Sequence, residues 1–267
     1  MSQPLTVPPG TNIQLSEFDT RFISGDWTKK SATKQIKKNT AVSRDLAYQL
    51  YAENRRAVLL VLQGMDTAGK DGTIRTVVTG INPQSCQITS FKQPSHLELD
   101  HDFLWRIHNA VPRRGEIGIF NRSHYEDVLI VRVHNLIPEE EWKTRYERIN
   151  EFEEMLVESK VTIVKCFLHI SKKEQRERLQ ARLDNPKKRW KFSTGDLAER
   201  KLWDEYQAAY EDALTLCNTR QAPWHIIPSD RKWYRNMLVS SILRETLEQL
   251  NPCVPASDPG LEGIVVE

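Results

Sequence analysis

The chain has 267 residues with 38 basic and 36 acidic side chains, a net charge of only +2; this balance argues against a general nucleic-acid surface, and the length suffices for one α/β domain with appendages. Four scattered cysteines, Cys86, Cys166, Cys217 and Cys253, form neither a CxxC pair nor a zinc spacing and read as reduced thiols. No apolar run reaches the about eighteen residues of a membrane span and no secretory h-region is evident, so the expected setting is cytoplasmic, without membrane or nucleic-acid partners.

Residues 1–28 carry Pro4, Pro8, Pro9 and Gly10 without a helical period, which predicts an extended N-terminal arm. Lys29–Asn54 reads as a helix whose basic front, Lys29, Lys30, Lys34, Lys37 and Lys38, is a solvated face or the border of an anionic ligand. Val58–Leu62 is then an apolar strand that runs into Gly64-Met65-Asp66-Thr67-Ala68-Gly69-Lys70, a GxxxxGK loop ahead of an amphipathic helix. In such a loop the backbone N–H groups from Gly64 through Thr73 turn inward around phosphate oxygens, and Lys70 supplies a point charge. Thr67, Ala68, Asp71 and Gly72 fall within that cradle. Asp71 stands where a P-loop usually carries a Ser or Thr hydroxyl for magnesium, so Asp66 or Thr73 is expected to serve the metal instead. A plain strand-to-helix turn is the alternative; the β-branched, leucine-rich run before the loop and the helix start after it favour phosphate.

Beyond the loop, strand and helix patterns alternate. Cys86–Ser90 is a strand, Leu97–Ala110 a helix, Glu116–Phe120 a strand and His124 onward a helical stretch. Alternation of this kind predicts a parallel sheet covered on both faces. Open sheets of that class bind ligands beyond the carboxyl ends of their strands. This puts Asn121, Arg122, Glu126 and Asp127 near the phosphate loop, with Asp66 and Asp127 as the carboxylates for a metal; an ordinary acidic pair in a first helical turn is the bland reading of Glu126 and Asp127. Arg113, Arg114 and Arg122 bracket the same strand with forks suited to phosphate.

Pro138 starts another helix, with Glu139, Glu140 and Glu141 complementing its dipole, Val161–Ile170 is a strong β run, and helices follow over Lys172–Leu183 and Asp196–Cys217. Between them, residues 184–196 hold Lys187, Lys188, Arg189, Trp190 and Lys191, a basic insertion placed as a lid that closes over a transferred phosphate. Arg178 and Arg182 share one face of the preceding helix. Trp224–Ile227 is the last strand, Arg231–Leu250 the last helix, and residues 251–267 a flexible or docking tail. The seven histidines show no metal spacing and no GxSxG elbow occurs.

Three blocks in order, GMDTAGKDGT, VPRRGEIGIFNRSHYEDVL and NPKKRWKFSTGD, resemble the polyphosphate kinase 2 family, specifically its members that use AMP as well as ADP. The resemblance spans roughly residues 30 to 250 and implies a three-layer, thymidylate-kinase-like P-loop kinase fold with a helical lid, in a single domain over 1–267. It implies transfer between inorganic polyphosphate and AMP or ADP, with Mg2+ as cofactor and ATP as a product. It makes Asp66 and Lys70 the catalytic loop pair, with Asp66 on the metal, and Arg122 a phosphate-holding arginine beside Glu126 and Asp127. Arg113, Asn121 and Arg122 are expected at the nucleotide; family members often carry Asp-Arg where this chain has Asn121-Arg122. Arg178, Arg182, Lys187, Lys188, Arg189 and Lys191 are similar to positions that contact polyphosphate. Helix-rich edges suit a homo-oligomer, a dimer or tetramer. An ATP-dependent nucleoside monophosphate kinase and a nucleotide-gated switch without turnover are the competing readings.

Overall fold

A computed structural model describes residues 6–261 and 264–266. The first five residues of the arm and residues 262, 263 and 267 of the tail lie outside the described part. Five parallel strands, β1 (Ala57–Gln63), β2 (Cys86–Ser90), β3 (Ile117–Asn121), β4 (Val161–His169) and β5 (Trp224–Pro228), form one sheet in the order β2-β3-β1-β4-β5. The helices are α1 (Lys29–Glu53), α2 (Lys70–Val77), α3 (His96–Leu99), α4 (Trp105–His108), α5 (Ile130–Val133), α6 (Glu139–Glu158), α7 (Lys172–Asp184), α8 (Thr194–Lys201), α9 (Trp203–Leu216) and α10 (Lys232–Leu250).

Every residue of β1 is buried, as its unbroken apolar run requires of a central parallel strand covered on both faces. On β4 the two-residue period puts Lys165 and Phe167 on one face, where they meet Glu153 of α6 and Tyr210 of α9. Helix α10 packs against β4 and β5 and carries α1 and α2 beside it. The result is the expected three-layer α/β architecture with a parallel sheet flanked by helices. Connections leave β1 toward β2 and β3 on one side, then cross to β4 and β5 on the other, and such a switch point opens a crevice at the strand ends.

The N-terminal arm lies along β5: Val7 N–H donates to the Trp224 carbonyl at 3.1 Å and Thr6 forms an antiparallel bridge with His225. Val7, Ile13 and Leu15 of the arm are buried in the core. This pairs the outer side of an edge strand that would otherwise present open backbone groups.

Three predicted helices are interrupted. The stretch 97–110 is two turns, α3 and α4, because the Asp102 carboxylate accepts from Leu104 N–H at 2.9 Å and diverts the backbone into a local turn. The stretch from His124 is a 3-10 turn, His124–Val128, separated from α5 by Leu129 at φ −104, ψ −82. The helix over 196–217 breaks at Leu202, and its first half, α8, starts at Thr194 behind a Ser193 capping box. Pro138 is the residue before α6, extended at ψ 151.

Close packing at the sheet centre yields one stability prediction. A Cβ on Gly118 of β3 would stand 2.8 Å from Pro112 ring carbons, so Gly118→Ala should destabilise by about 1–3 kcal/mol through overpacking. Urea unfolding would show it as a lower midpoint at unchanged slope.

Candidate active site

The loop between β1 and α2 adopts backbone conformations that its glycines permit. Gly64 has φ 148 and a Cβ there would lie 2.7 Å from the Leu168 carbonyl; Gly69 has φ 110 and a Cβ there would collide with the Arg235 guanidinium. Thr67, at φ 64, accepts a left-handed conformation without being glycine, the sort of backbone strain that concentrates at functional loops. Lys70 folds back so that its Nζ donates to the Gly64 carbonyl at 2.6 Å. Burial and the nearby Arg122 lower its pKa to about 8, against the opposing pull of Asp66, Glu126 and Asp71.

From β3, Arg122 leaves the strand at φ 63, donating its N–H to the Leu62 carbonyl. That left-handed step turns its guanidinium back onto Asp66, where Nη2 donates to Oδ1 at 2.9 Å. Burial favours the neutral acid at Asp66, but Lys70, Arg122 and Arg182 outweigh it and hold the carboxyl below the usual range. The turn that presents Arg122 and Glu126 is anchored from beneath. Glu153 accepts from the Tyr125 hydroxyl at 2.8 Å and lies 3.1 Å from His124 Nε2, while Lys165 Nζ donates to Glu153, Tyr125 and the Cys217 carbonyl at 2.6, 2.9 and 2.6 Å. All of these side chains are buried, and Lys165 uses all three of its donors there.

Two cavities meet at the Asp66–Arg122 pair, which lines both. The larger, about 630 Å³, is a basic cleft. Thr67, Gly69, Lys70, Asp71, Gly72, Arg182, Lys188 and Lys191, expected around phosphate, line it, and so does Asn121, expected at the nucleotide. Asn121 does not line the second cavity; its Nδ2 donates to Asp71 Oδ1 at 3.0 Å, and Lys191, between α7 and α8, stands 3.7 Å from the other oxygen of Asp71. The smaller cavity, about 470 Å³, is lined by Gly64, Glu126, Asp196, Glu199, Tyr206 and Tyr210 among others, and is thus acidic and aromatic where its neighbour is cationic.

Several expected site residues stand elsewhere. Arg113 precedes β3 at the amino end of the sheet, opposite the phosphate loop, where it forks onto Glu116. Asp127 lines neither cavity; its Oδ1 accepts from Arg145 at 2.8 Å, and burial, stronger than the Arg145 charge, raises its pKa to about 6. Thr73, in the first turn of α2, is buried with its hydroxyl toward Asn236 of α10 at 3.3 Å, and Ala68 of the loop is wholly buried, so neither side chain faces the cleft. Lys187 and Arg189, between α7 and α8, line neither cavity, Arg189 Nε donating to the Leu183 carbonyl at 3.0 Å. Arg178 does border the cleft, but its guanidinium is committed to backbone carbonyls.

Sequence reading missed Arg75, Lys92, Lys232 and Arg235, all of which line the basic cleft. Lys92 follows β2, and Lys232 and Arg235 open the helix after β5. The rule that ligands sit past the carboxyl ends of strands, applied to every strand rather than to β1 and β3, would have found them. Tyr206 and Tyr210 gave no such signal, because a tyrosine pair at i,i+4 is ordinary core spacing.

A family model described as Polyphosphate kinase 2 (PPK2) matches residues 26–254. The chain is 52% identical over 262 residues to a Meiothermus ruber protein named AMP/ADP-polyphosphate phosphotransferase, covering 98% of each. It is 44% identical over 265 residues to a Rhodopseudomonas palustris protein named ADP-polyphosphate phosphotransferase, covering 95% of this chain and 92% of the relative. The fold superposes on the crystal structure of Polyphosphate Kinase 2 from Arthrobacter aurescens with a TM-score of 0.92 at 44% identity, over 95% of this chain and 91% of that one.

Proposed function

The chain belongs to the polyphosphate kinase 2 family, and on that premise we propose that it transfers the terminal phosphoryl group of inorganic polyphosphate to AMP and to ADP, giving ADP and ATP, reversibly. One observation carries the reading: a cationic cleft and an acidic, aromatic cavity share a wall made of Asp66 and Arg122. Polyphosphate, a linear polyanion without a base to recognise, suits the cleft; a nucleotide suits the second cavity with its anionic phosphate at Arg122 in the shared wall and its flat ring against Tyr206 and Tyr210. An oxygen of the acceptor phosphate then attacks the terminal phosphorus of the chain. The P–O–P bridge breaks and its electron pair stays with the shortened polyphosphate.

This chemistry needs positioning and charge neutralisation more than covalent help. Arg122 is placed to follow the transferred group from one side to the other, Lys70 to hold the donor's outer oxygens, and the loop N–H groups to receive its bridge. A phosphate acceptor is already ionised near neutral pH, so Asp66 has no proton to remove and serves instead to orient Arg122 and a metal. The donor set fits Mg2+: no cluster of three metal-binding side chains occurs among the described residues, and Mg2+ takes one or two carboxylates, substrate phosphates and water. Asp66, with one oxygen on Arg122, is the carboxylate that would hold it, and Asp127, tied to Arg145, is not. Bound there, the ion would neutralise charge on the phosphate oxygens.

The proposal extends to a cytoplasmic setting, consistent with the absence of any helix long and apolar enough to cross a membrane among the described residues. It also extends to a homo-oligomer of two or four copies, for which the exposed Tyr48 and Tyr51 of α1 are the supporting feature.

The test is ADP and ATP formation from AMP with magnesium and long-chain polyphosphate, without added ATP. Product matching the polyphosphate consumed is the expected result. Turnover that appears only when ATP is the donor would move the reading to an ATP-dependent monophosphate kinase, and stoichiometric binding without turnover to a switch. In the same assay Lys188→Ala with Lys191→Ala should raise KM for polyphosphate and leave KM for AMP; equal effects on both would count against a donor in the basic cleft.

A further inference from the structure

Arg178 lies in the wall of the basic cleft, one turn of α7 before Arg182, and its charge invites the view that it grips the phosphate chain. We infer that it does not: Arg178 is a positioning residue that holds the phosphate loop in its anion-binding shape from behind. The inference rests on the proposed reaction and concerns how its loop is built.

A guanidinium has five N–H groups and no acceptor. In Arg178, Nε donates to Glu174 Oε1 at 2.8 Å, Nη1 to the carbonyls of Thr67 and Ala68 at 2.9 and 3.0 Å, and Nη2 to the carbonyls of Ser229 and Asp230 at 2.7 and 3.0 Å. All five are used, on a side chain only 8% exposed. Binding a phosphate oxygen would strip a partner from a buried carbonyl, which is unfavourable. Arg182 differs: it is 28% exposed and its nearest carboxylate, Asp196 of α8, is 3.7 Å away.

The bonds that Arg178 makes also have a direction. In a trans peptide the C=O of one residue and the N–H of the next point oppositely. The Asp66 carbonyl is held by Gln175 Nε2 at 3.2 Å, and the Ala68 carbonyl is shared by Arg178 and by Arg235 Nη1 at 2.7 Å. Drawing these carbonyls toward α7 and α10 turns the N–H groups of Thr67 and Gly69 the other way, free for an anion. Arg178 further ties the loop after β1 to the connection after β5, two strands away in the sheet. Lysine, a single ammonium, cannot span four carbonyls in two directions.

The experiment compares Arg178→Lys with Arg182→Ala, against wild-type polyphosphate-dependent ADP formation, so that failure of the proposed reaction would show before any variant is compared. Assayed well below its Tm, Arg178→Lys should lose roughly 10- to 100-fold in kcat, and whatever rise in KM for polyphosphate accompanies it should leave the dependence of KM on salt at wild type. Arg182→Ala should raise KM and lower the slope of log KM against log salt by about one, as expected for one lost phosphate contact. Wild-type kcat in folded Arg178→Lys would make the residue merely structural and overturn the inference; a salt slope lowered as in Arg182→Ala would make it a phosphate ligand and also overturn it. Should Arg178→Lys fail to fold, the wild-type enzyme answers by phenylglyoxal labelling read by mass spectrometry. Arg182 should be labelled in the free enzyme and protected by polyphosphate, with Arg178 unlabelled in both. Labelling of Arg178 that polyphosphate suppresses would overturn the inference.

Discussion

Asp66→Asn is expected to lower kcat for ADP formation by roughly 1,000-fold, about 4 kcal/mol of transition-state stabilisation, in a protein that still folds. Asparagine matches aspartate in shape and can still accept one hydrogen bond from Arg122 through its carbonyl. What it lacks is the charge that holds Arg122 and Lys70 in place and that would ligate magnesium. The residue sits in the wall shared by both cavities, so the loss falls on the transfer step more than on the binding of either substrate. Its depressed pKa adds a stability contribution present above the unfolded value and lost as pH falls through the folded one. That contribution is modest because the side chain is 29% exposed. Circular dichroism and a kcat measurement on the same preparation provide the check, and a folded variant with near-normal turnover would remove Asp66 from the mechanism.

A second large effect is an alkaline limb in the pH profile. Lys70 has its pKa lowered to about 8, by burial first and by Arg122 second, so the free enzyme loses that charge as pH rises through about 8. Because kcat/KM reports groups of the free enzyme, kcat/KM for polyphosphate should fall about tenfold per pH unit above that point. A bound polyanion favours the ammonium, so the limb in kcat should lie at higher pH. Stability runs the other way: the unfolded lysine titrates near 10.5 and the folded one near 8, the unfolded chain binds more protons between them, and Lys70 therefore makes the ligand-free fold relatively more stable as pH climbs through that window. Lys70→Gln should start from a low kcat/KM and show no limb near pH 8; a limb that survives this substitution belongs to another group.

Much of the architecture could be read from residues because local and global signals agree. The apolar run Val58–Leu62, the glycines of the loop and the helix start at Lys70 point to one arrangement, and β1 and α2 follow it. The family blocks led to the same fold. Helix interruptions at Asp102 and Leu202 were not legible, since a single side chain turned onto its own backbone, or one residue out of helical range, leaves the hydrophobic period intact.

The site was harder for a different reason. Sequence places a charged residue at the correct edge of the sheet, but what its donors meet is decided by distant segments. Arg178 and Arg182 look alike on their helix; only the carbonyls of residues 67, 68, 229 and 230 separate a loop brace from a candidate phosphate ligand. Asp127 reads as well as Asp66 until Arg145, eighteen positions on, claims it. Arg113 precedes its strand rather than following it, and the direction of a parallel strand then carries it to the wrong end.

The shared wall of the two cavities also has a stereochemical meaning. If the donor's terminal phosphorus and the acceptor oxygen approach Arg122 and Asp66 from opposite sides, the phosphoryl group crosses in a single displacement, its three non-bridging oxygens folding through a plane like an umbrella. An isotopically chiral phosphorus would leave this enzyme inverted, and no molecule of the protein would at any moment carry the group as its own.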